Sequence, residues 1–129
     1  FARAYVIGHE VGHHIQTVTG ISSKVRKAQS QTNKAGQNAL QVKMELQADC
    51  LAGVWANQTQ QRTQFLESGD LEEALSAAEA VGDDTLMKRA GVPPRRENFT
   101  HGSSKERMDW FNRGANTGLV GSCDTFEGN

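Results

Sequence analysis

Residues 5–14 read Tyr5-Val6-Ile7-Gly8-His9-Glu10-Val11-Gly12-His13-His14. His9 and His13 are four apart. At about 3.6 residues per turn, a helix carries both imidazoles on one face, one turn apart. Nitrogens so placed can meet one Zn²⁺ at about 2.0–2.1 Å. Glu10 lies next to His9 but is turned off the ligand axis. It is too far round to ligate easily, yet near enough to reach a water on the metal, which suits a general base. A chance match on an amphipathic helix is the competing reading. Against it, three of the chain's four histidines fall within His9–His14. His14 is turned about 100° from His13 and reads as a surface or supporting residue. Gly8 and Gly12 form an adjacent ridge of small residues, over which another helix can approach closely.

Working outward, the chain reads as mainly α. Ala, Gln, Glu, Lys, Arg and Leu dominate, and no window sustains the period-two alternation of a strand. The spacing predicts a metal-bearing helix over residues 1–19, ended by Gly20. Residues 20–39 are polar and read as a loop, or as a short solvent-washed helix starting at Ser22 or Ser23. A long helix over 40–68 ends at Gly69. Short helices fill 70–90, the first capped by Asp70 and the second started by Asp83 or Asp84 and stopped before Pro93-Pro94. Ser103 with Glu106 forms a capping-box pattern, so a His101 loop and a last helix occupy 99–114. Residues 115–129 are a Gly-rich irregular tail.

A catalytic zinc site needs a third protein ligand and an open fourth position. Glu45 and Asp49 share one face of the long helix. Like charges at that spacing repel unless a cation lies between them. The segment around them is apolar (Leu46, Ala48, Leu51, Ala52, Val54, Trp55), which argues against a solvated face. We assign Glu45 as ligand and Asp49 as the partner of a zinc histidine's distal nitrogen. Farther on, His101 precedes the last helix and Arg107 lies in its first turns. They read either as donors to an oxyanion or as a buried structural His and a simple surface salt bridge by Arg107.

The 129 residues carry a net charge of -1, so no bulk electrostatic argument points to nucleic acid or an anionic membrane. Mean hydropathy is -0.60, no apolar run is long enough to span a bilayer, and no signal peptide opens the chain. Phe1 already lies in helical register without an initiator Met, so a fragment or processed product is expected. Cys50 and Cys123 form either one disulfide tying the tail to the long helix or two reduced thiols. An even count near an irregular tail favours the staple, and with it an oxidising compartment.

The ordered motifs His-Glu-Val-Gly-His-His (9–14), Glu-Leu-Gln-Ala-Asp-Cys (45–50) and Phe-Thr-His-Gly-Ser-Ser-Lys-Glu-Arg (99–107) resemble the bacterial neutral zinc metallopeptidase (YpfJ-like) family, nearly end to end from Tyr5 to Phe126. The resemblance implies a zincin-like helical core and a gluzincin-type site: His9, His13 and Glu45 on Zn²⁺, with Glu10 as base. More distantly, Thr100-His101 with Arg107 is similar to an active-site element of membrane CAAX endopeptidases, with Gly102 where that group has Pro. The resemblance also implies a membrane anchor or export signal upstream, an extracytoplasmic setting and, as in zincins, a β-sheet before the zinc helix, which this chain lacks. The expected function is a zinc-dependent endopeptidase acting on peptide or protein substrates. A zinc-stabilised helical binding module without turnover is the alternative, and an aminopeptidase or esterase using the same site is a third.

Overall fold

The computed structural model describes residues 2–63 and 69–127. The described residues form six α-helices: α1 (Ala2–Val18), α2 (Ile21–Gln29), α3 (Lys34–Thr63), α4 (Asp70–Ala80), α5 (Asp83–Arg89) and α6 (Ser104–Thr117). Single 3-10 turns lie at Arg96–Asn98 and Val120–Ser122, and no strand occurs among the described residues. The mainly α expectation therefore holds.

α3 is the axis. Every residue from Met44 to Val54 is buried, as expected of a helix enclosed on all sides. α1 and α2 lie against it on one side and α6 on the other, while α4 covers α6 and α1. Small residues set the α1–α3 spacing. A Cβ added at Gly12 would stand 2.8 Å from the Ala48 carbonyl oxygen and 3.0 Å from its Cα. One at Gly8 would meet Trp55 and Ala52. Aromatic contacts fill the interior between α1 and α6: Phe111, 1% exposed, packs edge-on against Tyr5 at 5.6 Å between centroids. Burial of a side chain that size is worth about 2–3 kcal/mol.

Several boundaries differ from the sequence reading. Of the two readings of 20–39 the short helix holds rather than the loop: α2 occupies Ile21–Gln29, one residue earlier than expected, and α3 begins at Lys34 rather than residue 40. The start is capped, because Asn33 Oδ1 accepts from the Gly36 N–H at 2.9 Å, satisfying one of the free donors of the first turn. Val25 gives α2 a buried anchor. The expected end of the long helix at 68 lies outside the described residues. Gly69, not Asp70, holds the cap position of α4, and Asp70 is its first helical residue. α6 runs past Gly114 to Thr117. Gly114 is no stop signal: it lies where α6 crosses α3, and a Cβ there would stand 2.8 Å from the Cys50 carbonyl carbon and 2.9 Å from Val54 N. The capping box of Ser103 and Glu106 is present. The tail is irregular but tied down. Cys123 is bonded to Cys50, with Cα atoms 5.5 Å apart, and Thr125 Oγ1 donates to the Lys43 carbonyl at 2.6 Å.

Candidate metal centre

α1 presents His9 and His13 to α3, and α3 answers with Glu45 and Asp49. His9 Nε2 lies 3.2 Å from Glu45 Oε1, and His13 Nε2 lies 3.0 Å from Glu45 Oε2. One donor atom from each of the three residues falls within 4.8 Å of the others. Tetrahedral zinc with bonds of about 2.0–2.2 Å places its ligand atoms roughly 3.3 Å apart. Two imidazoles and one carboxylate at these separations fit that ion in both donor chemistry and spacing.

The protonation energetics agree. Burial alone would lower the pKa of His9, but hydrogen bonds to Asp49 and Glu45 outweigh it and push it up to about 9. Burial alone would raise Glu45, but hydrogen bonds from His13 and His9 hold it well below the usual carboxylate range. The cluster thus holds positive charge strongly, as protons when no metal is bound.

Behind His9, Asp49 is fully buried and accepts from four donors. Its Oδ1 takes the His9 Nδ1–H at 2.8 Å, the Tyr5 hydroxyl at 2.6 Å and Arg107 Nη2 at 3.1 Å, while Oδ2 takes Arg107 Nε at 2.7 Å. Arg107 Nη1 also donates to the Val81 carbonyl at 3.2 Å. Three of its N–H groups are therefore engaged, and the residue is only 4% exposed. This geometry makes it a buried clamp on Asp49, the salt-bridge alternative of the sequence analysis but away from the surface, and the residue also lines the cavity beside the cluster.

A cavity of about 270 Å³ is lined by His9, Glu10, His13 and Glu45 together with Tyr5, Val6, Val81, His101 and Arg107. Glu10 and His101 are both exposed. His101 Nε2 stands 4.0 Å from Glu45 Oε1. Its loop is held by Asp83, whose Oδ2 accepts the backbone N–H groups of Thr100, His101 and Gly102 at 2.9, 2.7 and 2.8 Å. Gly102 has φ +103°, and a Cβ there would meet Leu46 Cδ2 at 2.9 Å. Proline, with φ near -65° and no N–H, fits neither requirement. The backbone path at His101 is thus set by Asp83.

The structure brings together His9, Glu10, His13, Glu45, Asp49, His101 and Arg107 at one centre. Cys50 lies on the opposite side of α3, joined to Cys123. Three participants escaped the sequence reading. Tyr5 and Gln16 were accessible to it, since each is one helical turn from a zinc-facing histidine on the same face. Asp83, seventeen residues or more from the amides it binds, gave no local signal.

The family model described as "Putative neutral zinc metallopeptidase" matches residues 1–126. The chain is 52% identical to the uncharacterized protein YpfJ of Escherichia coli K12 over 126 residues, 98% of this chain and 44% of that protein. It is 40% identical over 135 residues to the uncharacterized proteins Mb2605 of Mycobacterium bovis and Rv2575 of Mycobacterium tuberculosis, again covering 98% of this chain and 44% of each of them. The chain thus spans less than half the length of these curated relatives. No solved structure matches it.

Proposed function

The chain belongs to the "Putative neutral zinc metallopeptidase" family, and from that premise we propose that it hydrolyses peptide bonds with zinc held by His9, His13 and Glu45. The observation that carries this reading is the three-donor cluster facing an open cavity, with Glu10 and His101 on its rim. Zinc, when bound there, supplies Lewis acidity towards the carbonyl and lowers the pKa of water.

The remaining roles fall to the chain itself. Glu10 takes the proton from the attacking water and passes it to the leaving amine. His101 Nε2 donates to the oxygen on which charge develops. Asp49 fixes the ring of His9, and Arg107 and Tyr5 fix Asp49. The two-cysteine bridge supports an oxidising, extracytoplasmic setting. Among the described residues no helix is long and apolar enough to cross a membrane; the proposal includes a membrane anchor in an upstream segment.

The test is Glu10→Gln in the full-length protein. Zinc stoichiometry by atomic absorption is expected to remain at the wild-type value, while cleavage of a peptide library falls by about 10²–10⁴-fold. Cleavage at the wild-type rate with zinc retained rejects the assignment of Glu10.

A further inference from the structure

His13 is supported differently from His9. Its Nδ1 lies 2.9 Å from Gln16 Oε1. Gln16, with no exposed surface, donates through Nε2 to the Met44 carbonyl at 2.9 Å and to Gln47 Oε1 at 2.8 Å. Gln47, also buried, donates through Nε2 to the Cys123 carbonyl at 3.0 Å. Cys123 is bonded to Cys50 on α3.

The direction of this chain is forced. A main-chain carbonyl can only accept. The Cys123 oxygen therefore requires the NH₂ of Gln47, which leaves Gln47 Oε1 to accept. Gln16 must then present its own NH₂ to Met44 and Gln47, which leaves its Oε1 towards His13. His13 Nδ1 must carry a proton, so Nε2, which donates to Glu45 Oε2 at 3.0 Å while no metal is bound, is the nitrogen whose lone pair is left for metal once that proton is lost.

We propose that Gln16 and Gln47 are positioning residues that fix the tautomer and ring orientation of His13 for metal, through a directed amide relay anchored on the disulfide-held carbonyl of Cys123. The inference rests on the zinc reading above and extends it to the tail, which touches neither the metal nor the cavity. Partners of zinc-bound histidines typically change metal affinity by about 10–100-fold when removed. The relay is two residues removed from the ligand at Gln47, so the lower end applies. Its loss also leaves one N–H of Gln16 facing an apolar group and the Gln16 amide held by the Met44 carbonyl alone.

The experiment compares the wild-type chain with Gln47→Met, which keeps volume and removes both hydrogen bonds. Zinc affinity is read by competition with a chelating dye, ligand geometry by the visible d–d bands of the Co²⁺-substituted protein, and folding by thermal melting. The expected result is roughly tenfold weaker zinc binding and altered cobalt bands. A Gln47 that is merely structural lowers the melting temperature and leaves affinity and cobalt bands unchanged, which overturns the proposal. Should Gln47→Met not fold, Cys50→Ala/Cys123→Ala leaves every amide in place and loosens only the carbonyl end. It must shift affinity and spectrum in the same direction, by a smaller amount, or the relay is rejected. Wild-type protein that takes up no zinc brings down the functional reading and the relay together. Zinc bound equally well by wild type and variants brings down the relay alone.

Discussion

Replacing Asp49 with Asn tests the centre most severely. The side chains are isosteric, so the cost is electrostatic. The native carboxylate accepts four hydrogen bonds, from Tyr5, His9 and twice from Arg107. An amide retains one acceptor oxygen. If that oxygen takes the Oδ1 position, the new NH₂ faces Arg107 Nε–H across the 2.7 Å contact, donor against donor. If it takes the Oδ2 position, the NH₂ faces His9 Nδ1 and reverses the tautomer that leaves Nε2 free for metal. Either way the Arg107 charge loses its counter-ion inside the protein, where removing one partner of a buried pair costs about 3–5 kcal/mol. A domain of this kind has about 5–15 kcal/mol in total, so the loss is a large fraction. Zinc affinity should fall by about 10–100-fold in addition. The assay is urea unfolding of metal-free protein, followed by zinc competition on the folded variant. Asp49→Leu/Arg107→Met separates the two effects: it should recover part of the stability, because no charge is left unpaired, but none of the zinc affinity. A single Asn variant within 1 kcal/mol of wild type and equal to it in zinc binding would refute the argument that Asp49 links folding to the metal.

Three further results are expected. Gly12→Ala places a methyl 2.8 Å from the Ala48 carbonyl oxygen; the overpacking cost of about 1–3 kcal/mol exceeds the gain in helix propensity, and because α1 must lift from α3, zinc affinity should drop along with the melting temperature. Glu106 is partly buried, which would raise its pKa, but Arg96 and the Ser103 N–H outweigh burial and hold it below its usual value. Its contribution is therefore complete above the ordinary carboxylate pKa of about 4.3 and disappears as pH falls through the lower folded value, so Glu106→Gln should destabilise by under about 1 kcal/mol at neutral pH and be neutral near pH 2 in denaturant titrations. Removing the disulfide, which closes a sequence separation of 73 residues, should cost about 4 kcal/mol by chain entropy, measured by urea unfolding of the Cys50→Ala/Cys123→Ala variant.

Those features that follow from short spacings were legible in the sequence. His9, Glu10 and His13 declare themselves at one helical turn, and Glu45 and Asp49 do so by sitting as a like-charged pair in an apolar segment. The capping box at Ser103 is equally local. Features that depend on the meeting of distant segments were not legible. Which of its two roles Arg107 takes was not readable, because α6 crosses α3 so closely, through Gly114, that the guanidinium bonds Asp49 while the residue still lines the cavity. The polar run before residue 40 concealed a helix start because Asn33 is an unremarkable residue until its oxygen is seen on the Gly36 N–H. Asp83 read as one more charge at a helix start, and only the fold brings three consecutive amides to its oxygen.

The unequal support of the two histidines has a consequence for the charge of the centre. His13 is backed by neutral amides. His9 is backed by a carboxylate, but Arg107 sits on that carboxylate at 2.7 Å and cancels its charge. The clamp therefore orients the His9 ring strongly while adding little negative potential at the metal position. Of the three donors, only Glu45 then carries a charge, and a dication bound there keeps a net charge of about +1 with its ligands. Were Asp49 unpaired, its full charge would reach the metal through His9 and blunt its pull on a carbonyl oxygen. A closed structural zinc site usually takes four protein ligands, often thiolates, and has little use for an electrophilic ion. Three protein donors, a cavity on the open side and an arginine that neutralises the supporting carboxylate are the arrangement expected where the ion must act on a substrate.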